Sequence, residues 1–350
     1  MKRFRLGDRE IGGESPCFII AEISANHGGS LDKALEAIRA AAGAGADAVK
    51  VQTFRADGVT IDSDKNYFRI DSGTSWDGQN LFRLYQQAEM PWEWQPELKK
   101  EADSLGLVFL STATSKESTD FIEEMGCPGF KIASFEITDH ELIRYVASKG
   151  KPVLFSKGIA TIQEIQEAIA ICQSEGNHHI ALLQCTSSYP APLNEANLRI
   201  IPNLADTFDV VPGLSDHTLG ILAPIIAVSM GARIIEKHFI ADKSLDSPDA
   251  DFSMDPREFQ ELVTAVRDTE KALGKVDYEL SERSVRSRGF ARSLFVVADI
   301  EEGESFTAEN VRAIRPGDGL HPRHLTEVLG RRARFRIERG EPFRWVMIDE

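Results

Sequence analysis

Two short stretches end an apolar run in histidine. "RIIEKHF" carries Glu236, Lys237 and His238, and "VVPGLSDHTLG" carries Ser215, Asp216 and His217. A buried strand does not hold Glu, Lys and His without partners or water, so these ends read as the lining of a site. Two neutral imidazoles from neighbouring strands suit a borderline divalent ion, with water or substrate completing its shell. Such an ion polarises an aldehyde oxygen. Lys50 and Lys131, with several hydroxyls, could gather around an anion such as a phosphate or carboxylate. Glu22 is then placed for proton transfer, or to stabilise a developing cation. Taken singly, each has a plainer reading: a satisfied core carboxylate, a snorkelling lysine, a hydroxyl capping the next helix. Their convergence carries the argument.

Convergence requires elements that bring the residues together. Eight short apolar runs recur along the chain: "CFIIAEISAN", "ADAVKVQTF", "LVFLST", "FKIAS", "PVLFSKG", "IALLQCT", "VVPGLSDH" and "ARIIEKHF". Segments of helical periodicity lie between them, many opened by Ser, Thr or Asp and closed by Gly. This alternation predicts parallel strands joined by helical crossovers and, with eight units, a (β/α)₈ TIM barrel. A doubly wound open sheet is the alternative, weakened by the lack of GxGxxG after the first strand. In a barrel the strand C-termini form the catalytic face. They offer Glu22, Asn26 and His27, then Lys50 and Gln52, and then Ser111 and Thr112. Lys131, Ser134 and Glu136 follow, then Ser156 and Lys157, then Gln184, Thr186, Ser187 and Tyr189. The two histidine runs complete the set, and Asp249 lies in the loop after the last.

The barrel is expected over 1–274, a polar linker over 275–289 and a small β-rich domain over 290–350. That last stretch holds ten Arg, eleven acids and no Lys, so the barrel carries most of the net charge of −15. Such acidity argues against a nucleic-acid partner but leaves room for a locally positive pocket. No apolar run is long enough to span a membrane, and no signal peptide is seen. Four cysteines without CxxC spacing read as reduced, which predicts a cytoplasmic protein.

The motifs "IAEISANHGG", "AVKVQTF", "KIASFE", "CTSSYPAP", "GLSDHTLG", "IEKHF" and "RPGDGLHP" resemble those of the sialic acid (nonulosonate) synthases, from about residue 17 to the C-terminus. The resemblance implies a barrel followed by an antifreeze-like (SAF) domain. It also implies a reaction joining phosphoenolpyruvate to an N-acetylated aldose with release of phosphate. By position, Glu22 matches the glutamate that handles protonation at C2 of the enolpyruvate. His217 and His238 match ligands of a divalent metal, Mn²⁺ first, with Mg²⁺ or Co²⁺ as alternatives. Lys50, Thr112, Lys131, Ser134, Ser156, Ser187 and Ser215 match the phosphoenolpyruvate site. Glu136 and Gln52 match residues that orient substrate, and Tyr189 and Asp249 match sugar contacts. Arg315 matches the arginine that, in the domain-swapped homodimer the resemblance implies, reaches the partner subunit's site. Departures are Ser187 where Asn is frequent, Lys157 for Thr, Ala113 for Pro and Ala250 for His.

The insertion "SGTSWDGQNLFRLYQQAEMPWEW" is similar to the pseudaminic branch of that family. Trp76, Trp92 and Trp94 would offer apolar faces to the methyl groups of a 6-deoxy diacetamido sugar; the alternative is that they pack a lid. N-acetylneuraminate or legionaminate synthesis is the alternative with the same mechanism. A Schiff-base aldolase using Lys131 is a different chemistry on the same barrel. A carbohydrate-binding role on a vestigial barrel is a third reading, opposed by the intact polar set.

Overall fold

The computed structural model describes residues 2–71 and 76–349. Ser72–Ser75, part of the insertion quoted above, lie outside the described residues. The chain divides into two compact units, Met1–Gly274 and Lys275–Glu350.

In the first unit, β1 (Arg3–Leu6) and β2 (Arg9–Gly12) form an antiparallel hairpin. Eight parallel strands follow: β3 (Phe18–Glu22), β4 (Ala48–Thr53), β5 (Val108–Ala113), β6 (Phe130–Ile132), β7 (Val153–Ser156), β8 (Ile180–Cys185), β9 (Val211–Asp216) and β10 (Ile234–His238). They pair in chain order and close where β10 meets β3, which excludes the open sheet. The crossover helices start where side chains cap them. Ser30, Asp139, Thr161 and Asp255 each accept from a backbone N–H of the first turn. Glu164 and Glu258 return the bond to the capping residue. Each cap contributes roughly 0.5–2 kcal/mol.

Alternate residues of a strand face opposite ways, and the barrel uses both faces. Outward side chains such as Ile19, Val49, Phe155 and Ile235 pack under the helices in one large cluster. Inward ones at the lower end of the barrel (Ile20, Ala48, Leu110, Leu154, Leu183, Val211 and Ile234) form a second cluster with Phe4, Leu6 and Ile11 of the hairpin. The basic N-terminus therefore plugs the barrel floor, which its composition did not announce. Gly213 is needed for that floor. A Cβ there would lie 2.3 Å from Leu183 Cδ2 and 2.7 Å from the Ile234 carbonyl oxygen, an overpacking of about 1–3 kcal/mol.

The insertion after β4 is ordered where described. It carries a helix at Leu81–Ala88, opened by Asn80, and a 3₁₀ turn at Trp92–Trp94. Among the described residues no helix is long and apolar enough to cross a membrane.

The second unit holds β11 (Ser293–Val296) paired with β12 (Val311–Ile314). Single bridges such as Ile300–Ile337 and Ala333–Ile348 extend the pairing around a core that includes Leu294, Phe306, Val311 and Phe343. Its β structure is thus mostly isolated bridges between turns. The stretch 275–289 contains a helix, Glu282–Ser287, capped by Ser281. Its exposure on all sides hides it from a periodicity reading, but an acid opens it and Arg286 closes it, as the helix dipole favours.

Candidate active site

Two residues beyond the apolar floor, the inward face of nearly every strand turns polar. Ile20 gives way to Glu22, Ala48 to Lys50, Leu110 to Thr112, Leu154 to Ser156, and Ile234 to Glu236 and then His238. Lys131 on β6 joins them, 1% exposed.

The centre of this layer is Lys50. Its Nζ is in ion contact with Glu22 Oε2, lies 3.6 Å from Glu236 Oε1 and donates to Thr112 Oγ1 at 3.1 Å. Ser215 donates to Glu236 at 3.3 Å. Lys131 donates to Ser156 Oγ at 2.7 Å and to the Ile132 carbonyl at 3.0 Å. Beside it Ser187 donates to Ser134 at 2.9 Å. The turn after β7 can rest on this hydroxyl pair only because it carries Gly158 (φ +32°), whose Cβ would fall 2.1 Å from that of Ser134.

Burial and charge sort these groups. Burial pushes the Glu22 carboxyl up to about 7 against the pull of Lys50. Glu236 is as deeply buried, but Lys50 and then Lys131 outweigh that cost and hold it below the ordinary carboxylate range. Burial opposes charge on Lys50 too, yet its two carboxylates carry its pKa upward. Lys131, lacking a carboxylate in contact, is lowered by burial. The arrangement is an ionised Glu236–Lys50 pair, a Glu22 that exchanges a proton near neutrality, and a second lysine set among hydroxyls. Such a nest accepts an anion whose charge Lys131 then offsets.

At the mouth the His217 and His238 rings lie 5.3 Å apart. Tyr189 packs on His217 at 4.3 Å and Phe252 on His238 at 4.9 Å. His217 Nδ1 lies 2.9 Å from the Thr186 carbonyl oxygen, which makes it the donor and leaves Nε2 as the position for a ligand when the ring is neutral; burial lowers the ring's pKa, but Cys185 and then the Thr186 hydrogen bond carry it upward. His238 Nδ1 is buried without a hydrogen-bond partner, and Asp249 Oδ2 is 3.7 Å away, beyond hydrogen-bond range. Burial, then the His217 ring, lowers the His238 pKa well below the usual imidazole range, so the ring is neutral, as a ligand must be. Among the described residues no group of three or more His, Cys, Asp or Glu is placed to hold a metal. The two imidazoles fit a divalent ion that takes its other oxygens from water and substrate, and the unpartnered His238 nitrogen supports that fit.

The remaining candidates are distributed as follows. Asp249 accepts from Ala25 N at 3.4 Å, and burial raises its pKa against a hydrogen bond from Ser24. Ser24 in turn accepts from Gln52 at 3.0 Å, so Gln52 and Asp249 meet through one hydroxyl. Glu136, in the turn after β6, is raised by burial, with Lys131 opposing. Arg315 belongs to the second unit and is exposed. The reading of three tryptophans at the mouth needs correction. Trp76 lies 5.4 Å from Tyr189 and donates to the Pro248 carbonyl. Trp92 is buried, donates to the Phe54 carbonyl and stacks on Phe121 at 5.0 Å, and Trp94 packs edge-on to His27. These two are wall residues, and only Trp76 of the three meets the aromatic cluster around the histidines.

Sequence reasoning noted Glu236 at a strand end without giving it a task; the shared Lys50 provides one. It also set Cys185 aside as a buried thiol. Cys185 Sγ lies 3.9 Å from His217 Nδ1. The only available signal was its place on the inward face of β8, opposite Ser215.

Residues 37–278 match the NeuB family and residues 291–349 match the SAF domain. A pseudaminic acid synthase of Campylobacter jejuni subsp. jejuni serotype O:23/36 is 45% identical over 93% of this chain and 94% of its own length. An N,N'-diacetyllegionaminic acid synthase of Legionella pneumophila is 37% identical over 98% of each. The crystal structure of an N-acetylneuraminic acid synthetase from Leptospira borgpetersenii superposes with a TM-score of 0.73 at 32% identity, covering 82% of this chain and 95% of that one.

Proposed function

Because the chain belongs to the NeuB family, we propose that it is a pseudaminic acid synthase. In this reading it condenses phosphoenolpyruvate with 2,4-diacetamido-2,4,6-trideoxy-L-altrose and water to give pseudaminate and phosphate. The observation that carries it is the anion nest of Lys50, Lys131 and hydroxyls set below two paired histidines. Higher identity to the pseudaminic acid synthase than to the legionaminic one supports the choice of sugar. So does Trp76 beside Tyr189, an apolar surface suited to a 6-deoxy methyl group.

Lys131, Thr112, Ser156 and the Ser134–Ser187 pair bind the carboxylate and phosphate, fixing the enolpyruvate so that its methylene carbon faces the aldehyde. His217 and His238 would hold a divalent ion, Mn²⁺ first and Mg²⁺ or Co²⁺ as alternatives, which would supply Lewis-acid polarisation of the aldehyde. The new C–C bond leaves positive charge at C2, which Glu22 and Glu236 stabilise. Water adds at C2 as Glu22 takes its proton and passes it to the oxygen of the former aldehyde, and the tetrahedral centre collapses to the ketone with phosphate leaving and carrying off the hydroxyl proton. Gln52, Tyr189 and Asp249 orient the sugar, and Glu136 supports its placement.

In the same reading the chain works in the cytoplasm as a domain-swapped homodimer in which the partner subunit's Arg315 closes the site. The buried, free cysteines suit a reducing compartment. Sedimentation at working concentration should give a dimer; a monomer alone would remove this part.

The deciding experiment strips the protein of metal, adds phosphoenolpyruvate and Mn²⁺, and follows phosphate release with three sugars. Metal-dependent release is expected with the L-altrose sugar and not with the D-mannose-configured diacetamido sugar or N-acetylmannosamine. Release with another sugar would overturn the substrate but keep the chemistry. Borohydride trapping of a pyruvate adduct on Lys131 would overturn the chemistry.

A further inference from the structure

The two histidines are each preceded by a charged residue on the opposite face of its strand. Asp216 precedes His217, Lys237 precedes His238, and the β9–β10 register sets Lys237 opposite Asp216. Lys237 Nζ lies 2.5 Å from Asp216 Oδ2 and also donates to the Thr218 carbonyl. Asp216 accepts from Thr218 N at 3.0 Å and from Thr218 Oγ1 at 3.2 Å. The carboxylate thus reaches over His217 to the residue after it, and the ammonium of the neighbouring strand closes the loop. Both side chains are almost wholly buried, 1% and 2% exposed.

A buried ion pair of this kind is weak evidence for stability. Desolvating both charges cancels most of their attraction, and apolar residues of similar volume often serve as well. What the pair does provide is geometry. It sits outside the reactant-facing layer, so it touches neither the anion nest nor the imidazoles, yet it lies one peptide from each ring. The hydrogen bonds on His217 from Ala191 N to its carbonyl and from its ring to Thr186 come from the opposite side, so this pair adds to the β9–β10 ladder and the Ser215–Glu236 bond the tie that lies next to both rings.

We propose that Asp216 and Lys237 are positioning residues, a cross-strand clamp that holds the His217 and His238 rings at the separation needed to share one divalent ion. The proposal rests on the metal reading of those rings. Ligand-orienting partners of this type typically change metal affinity by about 10–100-fold when lost.

The test is Mn²⁺ binding to the full-length protein without substrates, followed by electron paramagnetic resonance, with thermal unfolding alongside. The variants are Asp216→Asn, the double Asp216→Asn/Lys237→Met, and His217→Ala as a control. Asp216→Asn keeps an acceptor for Thr218 but leaves Lys237 unpaired, and the double variant, which removes both charges, guards against a misfolded single one. The expected result is Mn²⁺ affinity lowered by about 10–100-fold in both clamp variants, with metal-free melting close to that of the unsubstituted protein in the double variant and lowered in Asp216→Asn, whose Lys237 charge is left buried and unpaired. If the unsubstituted protein binds Mn²⁺ in a His217-dependent manner and the clamp variants bind equally well, the clamp is overturned alone. If the unsubstituted protein binds no Mn²⁺, or His217→Ala leaves binding intact, the metal reading and the clamp fall together.

Discussion

Glu22→Gln lowers the rate of phosphate release by on the order of 10²–10⁴-fold, the usual loss when a general acid–base group is removed, and leaves the barrel folded. The argument begins with where the carboxyl lies. It is 1% exposed on the inward face of β3 and shares Lys50 with Glu236. One ammonium in contact cannot offset two buried carboxylates, and burial leaves Glu22 titrating at about 7. Its folded pKa is raised, so its contribution to stability is greatest below the ordinary value of 4.5 and is lost as pH rises through about 7. Glutamine copies the neutral form and removes that dependence, which is why the loss falls on rate and not on folding. In the unsubstituted protein the step in which ionised Glu22 takes a proton strengthens as pH rises through the same range. The variant loses that limb of the profile. Phosphate release within about tenfold of the unsubstituted rate would exclude Glu22 as the acid–base group.

Chelation, or His238→Ala, abolishes turnover by at least about 10²-fold, since a Lewis acid at a carbonyl supplies several kcal/mol. Mn²⁺ restores the chelated protein and does not restore the variant. The ring is 8% exposed between His217 and Phe252 and keeps a buried nitrogen without a partner. A histidine present only for packing would place that nitrogen against a carbonyl or water. Because burial holds its pKa well below the usual range, mild acid leaves this ring neutral, and activity lost on acidification traces to other groups. The check is phosphate release with and without added metal, with thermal melting of each protein. Full activity of the chelated protein, or of His238→Ala, would exclude the ion.

Much of the site was legible because barrel topology turns a local rule into a global one. Once eight apolar runs alternate with capped helices, their polar ends must share one mouth, and Glu22, Lys50, Thr112, Lys131, Ser156, Ser215, His217 and His238 do so. Tryptophan positions were less legible. Trp76, Trp92 and Trp94 are alike in composition, yet Trp92 and Trp94 face the barrel wall while Trp76 faces Tyr189, because the fold of the insertion aims each one. The hairpin floor was missed since Phe4, Leu6 and Ile11 are separated by charges, a spacing that reads as a polar tail until a barrel end lies beside it.

The order of strands, their inward faces and the residue types at their ends are properties of the chain read in line. Period-two alternation and capping are local, so the sequence by itself determined the barrel and the chemistry its mouth can attempt. The division of labour within that mouth was decided only by the tertiary structure. Glu22 and Glu236 are the same residue type on the inward faces of neighbouring strands, yet one is pushed up to about 7 and the other held below its ordinary range. The difference lies in which ammonium groups each carboxylate faces across the barrel, and in how much water is excluded there. The Asp216–Lys237 pair likewise exists only through the β9–β10 register. Desolvation and Coulomb interaction act through space, between residues that the chain holds far apart.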